Sequence, residues 1–126
     1  MNKTILVVDD SSVMRASVSY TLKSAGFETI EAHDGKHALD VLGGLAEKGQ
    51  RPAMILVDVN MPVMDGITFI VHVKRGPCKF VPVLVLTTES EETKKAAGKE
   101  AGASGWRVKP FKPDQLLAVV QRFTRS

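Results

Sequence analysis

Apolar runs that stop abruptly on aspartate or lysine constrain this chain more than any other feature. Ile5-Leu6-Val7-Val8 leads into Asp9-Asp10, and Met54-Ile55-Leu56-Val57 leads into Asp58. Near the C-terminus, Gly105-Trp106-Arg107-Val108 leads into Lys109-Pro110. Short apolar runs bounded by polar or turn residues read as buried strands of a parallel sheet. Ligand sites in such sheets gather beyond the carboxyl ends of the strands. Residues distant in sequence therefore converge, here the carboxylates of Asp9, Asp10 and Asp58 and the ammonium of Lys109. Carboxylates a few ångströms apart repel by roughly several kcal/mol at an intermediate dielectric. An oxygen-preferring divalent cation, Mg²⁺ above all, relieves that repulsion. An acidic pocket, a hard cation and a lysine together describe a site for phosphoryl chemistry.

The rest of the chain supplies the scaffold. Strands are expected over Thr4–Val8, residues 27–32, Met54–Val57, residues 83–86 and Gly105–Val108. Met14, Val18, Leu22 and Ala25 follow helical spacing, with Ser11 or Ser12 to cap the start and Gly26 to end it. Ala38, Leu39, Leu42 and Leu45 or Ala46 form a second apolar face, closed by Gly49 and Pro52. Pro113 suits a first helical turn, followed by Leu116, Leu117, Val120 and Phe123. Residues 67–73 are rich in β-branched and aromatic side chains and read locally as a strand. A helix is nevertheless expected there, because Asp65 can cap it and a crossover must join the third and fourth strands. Residues 90–101 offer only Ala96, Ala97 and Ala101 to a core, so a thinly docked, mobile helix is expected. Strands alternating with helices predict an α/β fold with a parallel sheet and helices on both faces.

Length and composition narrow the function classes. At 126 residues the chain suits one domain, with a real core and no room for a second, and residues 1–126 are read as that domain. A hydrophobic content of 44% and a charged content of 25% are ordinary for a soluble protein. The net charge of +3 is scattered, and Lys94, Lys95 and Lys99 share their segment with Glu91, Glu92 and Glu100. Without a basic stripe or reading motif, no nucleic-acid partner is expected. Cys78 is the only cysteine, so no internal disulfide can form, and a reducing cytoplasm fits. No signal peptide is expected before the first strand, and no apolar run reaches the roughly 20 residues needed to cross a bilayer. A cytoplasmic monomer without membrane insertion is expected.

Asp9-Asp10, Asp58, Thr87 and Lys109-Pro110, in this order and spacing, resemble the receiver domain of bacterial two-component response regulators. Within that family the chain is most similar to the single-domain chemotaxis (CheY-type) regulators, from residue 3 to residue 123. The resemblance implies a flavodoxin-like (βα)5 fold with strand order 2-1-3-4-5, of which those regulators are a known example, and no output domain. It implies that Asp58 is the nucleophile, forming an aspartyl-phosphate from a phosphoryl group given by a sensor histidine kinase of the chemotaxis type. Mg²⁺ would be held by Asp10 and Asp58 directly, by Asp9 through water, and by the backbone carbonyl of Asn60. Lys109, aimed by a cis bond to Pro110, would face the phosphoryl oxygens. Thr87 would donate to them and, with Trp106, form the switch. Trp106 departs from the usual tyrosine or phenylalanine, and a fixed aromatic packed beside the fourth helix is the plain alternative. Thr88 lies at the pocket rim, while Asn60 and Glu89 occupy positions that tune hydrolysis and match the fast-hydrolysing members.

The implied function is a phosphorylation-dependent switch and not an enzyme: it catalyses only its own phosphorylation and dephosphorylation. Its partner-binding face, made by the fourth helix, fifth strand and fifth helix, would serve chemotaxis or motility control. A flagellar motor switch protein or a phosphatase would dock there, or the domain would act as a phosphate sink for the kinase. A haloacid-dehalogenase-type phosphohydrolase is disfavoured, because Asn60 stands where a second acid would be needed. A flavin carrier is disfavoured because Asp9-Asp10 would repel a flavin phosphate. His33, His37 and His72 lack clustered ligand spacing and are read as incidental.

Overall fold

Buried strand sequences alternate with helical ones along the whole chain. The computed structural model describes residues 2–88 and 91–124. It assembles them as β1 (Thr4–Val8), α1 (Ser12–Ser24), β2 (Glu28–Ala32), α2 (Gly35–Glu47) and β3 (Met54–Val57). There follow α3 (Gly66–Val73), β4 (Val83–Thr87), α4 (Glu92–Ala101), β5 (Gly105–Val108) and α5 (Pro113–Thr124). The five strands are all parallel, in the order β2-β1-β3-β4-β5.

The all-apolar strand β3 and the strands β1 and β4, each apolar but for one threonine, occupy the middle, where both faces are covered. Strands β2 and β5 carry Glu28, Glu31 and Arg107 and take the edges, where those side chains keep access to water. One core layer joins Val18 and Leu22 of α1 to Leu116, Val119 and Val120 of α5 across Ile5, Leu56 and Leu84. The other joins Ala38 and Leu42 of α2 to Phe69, Ile70 and Val73 of α3 across Leu6, Ile55 and Val83. The chain order reverses between β1 and β3, which opens a crevice where Asp9 and Asp58 emerge.

Element ends follow the expected chemistry with small shifts. Ser11 Oγ accepts from Met14 N–H at 3.2 Å and starts α1. Gly26, at φ 91°, closes it, and the Phe27 N–H donates back to the Leu22 carbonyl at 3.1 Å. That bond holds Phe27 to the helix, so β2 begins one residue later than the sequence suggests. Strand β4 runs one residue further, because Thr87 pairs in register with Val108.

The strand-like stretch 67–73 is a helix. Asp65 accepts from Thr68 through both carboxylate oxygens, at 2.9 Å from N–H and 3.0 Å from the hydroxyl. Phe69, Ile70 and Val73 are buried, each worth about 1.5–3 kcal/mol. Summed, that exceeds the few tenths of a kcal/mol per residue by which β-branched side chains disfavour a helix. Helix α4 buries only Gly98. Ser90, expected at its start, lies outside the described residues, as does Glu89. The Cys78 thiol is buried and desolvation raises its pKa, which leaves it an inert core group. No helix among the described residues is long and apolar enough to cross a membrane.

Candidate functional site

Strand pairing delivers the acids to one point. The Asp9 N–H donates to the Ala32 carbonyl of β2 at 3.1 Å, and the Asp58 N–H donates to the Val8 carbonyl of β1 at 3.0 Å. Both residues are thereby fixed at the lip of the sheet. Single ligand atoms from Asp9, Asp10 and Asp58 all lie within 4.8 Å of one another, the one such acidic group among the described residues. Asp9 is buried, Asp58 is nearly so, and Asp10 is exposed. Lys109 reaches across from the end of β5. Its Nζ donates to Asp9 Oδ2 at 2.8 Å and to Asp58 Oδ2 at 3.3 Å, with all three side chains at most 12% exposed. One ammonium cannot balance three carboxylates. Each pair of like charges at this spacing repels by about 3 kcal/mol at an effective dielectric near 20.

Neighbouring backbone holds the acids in place. The Ser11 N–H donates to Asp9 Oδ1 at 2.9 Å, and the Asn60 N–H donates to Asp58 Oδ1 at 3.3 Å. Thr87 is fully buried at the end of β4, and its carbonyl accepts from the Lys109 N–H at 2.7 Å. The Lys109–Pro110 peptide is cis. Thr88 is exposed beside this group.

Trp106 belongs to β5. It pairs with Val85 in register, packs against the α2–α3 core layer, and is half-buried. Its ring lies so close to α4 that a Cβ added at Gly98 would stand 2.7 Å from Cζ3. The thin apolar face of α4 is therefore docked on this ring through a glycine.

The sequence reading missed Gly66. A Cβ there would stand 2.1 Å from the Asp58 carbonyl oxygen, so only glycine lets α3 start against the residue that carries the central carboxylate. The available signal is the glycine that directly follows the capping Asp65. Two of the three histidines have a local structural part. His33 and His37 stack with ring centroids 4.2 Å apart, and His37 Nδ1 accepts from the His33 N–H at 3.2 Å. With Asp34 facing His33 Nδ1 at 3.1 Å, they organise the turn between β2 and α2. His72 lies apart, in the last turn of α3.

Residues 5–121 match the response regulator receiver domain. The chain belongs to that family. This receiver domain is 44% identical to the chemotaxis protein CheY4 of Vibrio cholerae, over 98% of this chain and 99% of that one, with a TM-score of 0.86. It is 27% identical, over the full length of both chains and with a TM-score of 0.86, to the receiver domain of the Pseudomonas aeruginosa sensor histidine kinase PA1611. That structure has a magnesium ion coordinated in its active-site cleft. Among curated relatives, PhoP of Bacillus subtilis, a transcriptional regulatory protein of alkaline phosphatase synthesis, is 36% identical over 125 residues. The alignment takes in 99% of this chain and 50% of PhoP, so the chain spans about half the length of that relative. Membership makes this domain a phosphorylation-dependent signalling switch of a two-component system, and not a classical enzyme.

Proposed function

We propose that this receiver domain accepts a phosphoryl group on Asp58 from a sensor histidine kinase. The observation that carries the reading is the shared grip of Lys109 on Asp9 and Asp58, which brings a donor cation and three acids to one crevice. A carboxylate oxygen of Asp58 attacks the phosphorus of a phosphohistidine. The new O–P bond forms as the N–P bond breaks, and the departing imidazole nitrogen keeps the electron pair and takes up a proton. The three N–H donors of Lys109 turn from carboxylate to phosphoryl oxygens, and the Thr87 hydroxyl donates to another. Positioning and charge neutralisation lower most of such a barrier. Hydrolysis reverses the state, as water attacks phosphorus and the Asp58 carboxylate leaves.

Mg²⁺ fits the donor set, which is all oxygen and carries excess negative charge. Asp10, Asp58 and the Asn60 carbonyl would hold it, with Asp9 acting through water. Bound there, it neutralises phosphoryl oxygens and relieves the repulsion among the acids. Intact-protein mass after treatment with acetyl phosphate and Mg²⁺ should rise by one phosphoryl group. Asp58→Asn, which keeps shape and removes the charge, should fold and show no rise; equal labelling of that variant contradicts the assignment.

Thr87 and Trp106 form the proposed switch. Drawing Thr87 toward phosphate changes the packing behind β4, and Trp106 transmits it to α4 through Gly98. Trp106 is the only tryptophan. Its emission or its quenching by iodide should therefore change when beryllofluoride and Mg²⁺ are added, and Thr87→Ala should blunt that change. Identical spectra in both states would make Trp106 a fixed packing residue.

For the output we propose chemotaxis or motility control, supported by the likeness to CheY4. The donor would be a chemotaxis-type kinase. A flagellar motor switch protein or a phosphatase would meet the face formed by α4, β5 and α5. A phosphate sink uses the same chemistry without an output partner. Cells carrying Asp58→Asn should swim with altered reversal frequency; parental swimming contradicts a motility role.

A further inference from the structure

We propose that Arg15 is a positioning residue for the Asp9–Asp10 pair, setting the geometry of the cation site from outside it. Arg15 lies in α1, with its side chain 17% exposed. Its Nη1 donates to the backbone carbonyl of Asp9 at 2.6 Å, a charge-assisted bond at the short end of the range. Its Nε donates to Glu31 Oε1 at 3.3 Å, and Ser19 Oγ donates to Glu31 Oε2 at 3.2 Å. Both oxygens of Glu31 are thus engaged, and the guanidinium is strung between edge strand β2 and the end of β1.

The carbonyl it grips belongs to the peptide joining Asp9 to Asp10. Asp9 needs no further help. Its N–H, Oδ1 and Oδ2 are each bonded, to Ala32, Ser11 and Lys109. Asp10 is different, being exposed, with no hydrogen bond to its carboxylate from the described residues. Where that carboxylate points depends on the plane of the peptide before it, and Arg15 sets that plane. The forked guanidinium suits the task, since one arm holds the carbonyl while another is held by Glu31. Glu31 also neutralises the charge of Arg15, so the arginine does not compete with a cation for the three acids. Partners one bond removed from a metal ligand commonly change affinity by about 10–100-fold.

The inference rests on the Mg²⁺ reading above, and calorimetric titration of the full chain with MgCl₂ separates the two. The parent should bind. Arg15→Met, which keeps the apolar stem and removes both bonds, should weaken Mg²⁺ by about tenfold. Arg15→Lys, able to hold the carbonyl or Glu31 but not both, should recover part of that loss. Leu22→Ala, a destabilising change in the same helix remote from the acids, should leave Mg²⁺ affinity at the parental value. A parent that binds with Arg15→Met binding equally overturns the positioning role alone. Equal weakening in Leu22→Ala overturns it too, since any loss of stability would then suffice. A parent with no affinity for Mg²⁺ overturns the metal reading, and this inference with it.

Discussion

Gly66→Ala is expected to lower the melting temperature by roughly 5 °C and to slow phosphorylation of Asp58. The added Cβ would stand 2.1 Å from the Asp58 carbonyl oxygen and 2.9 Å from Val59 Cα, so backbone and not a flexible side chain must yield. Overpacking of this kind costs about 1–3 kcal/mol and sometimes more. Removing glycine from a helix returns only about 1 kcal/mol. The Gly66 N–H also donates to the Val59 carbonyl at 2.9 Å, so any retreat of α3 pulls on the loop that leaves Asp58. A thermal melt beside an acetyl phosphate time course reads both effects. A melting point within about 2 °C of the parent, with an unchanged rate, would mean that the contact relaxes elsewhere.

Asp10→Ala should act in opposite directions on the two states of the site. Without metal, removing one of three crowded carboxylates relieves repulsion. Asp10 is exposed and partly screened, so the gain should be about 1 kcal/mol, a few degrees in melting temperature. With metal, the parent should gain about 2.7 kcal/mol at a hundredfold excess over its dissociation constant, and the variant should gain almost nothing. Melts with and without Mg²⁺ test both halves. A variant that keeps the parental Mg²⁺-dependent gain shows that Asp10 is not a ligand.

The sheet and its acidic crevice were legible because strand burial and strand polarity leave plain marks. Leu6, Ile55 and Val83 had to be internal, and whatever followed their strands had to emerge at one edge. Local preference alone points residues 67–73 to a strand; the helix expected and found there turns on burial of Phe69, Ile70 and Val73 against the sheet and on the Asp65 cap. Gly66 stayed hidden because its constraint is a carbonyl eight residues earlier, visible only once β3 and α3 meet. Arg15 and Glu31 join different elements in the same way; no spacing rule within one helix or strand reveals them. Helix α4 looked weakly docked from its alanines. Its seat on Trp106 depends on a glycine, which contributes contact by lacking a side chain.

The location of the acyl phosphate tests the account most directly. After acetyl phosphate and Mg²⁺ treatment, borohydride reduces an aspartyl-phosphate to homoserine, which marks the modified position permanently. Peptide mass spectrometry should find that mark at Asp58 alone, and it should vanish when Mg²⁺ is chelated beforehand. A mark at Asp9 or Asp10, or phosphate retained on a histidine with Asp58 unmodified, would contradict the assignment of Asp58 as nucleophile.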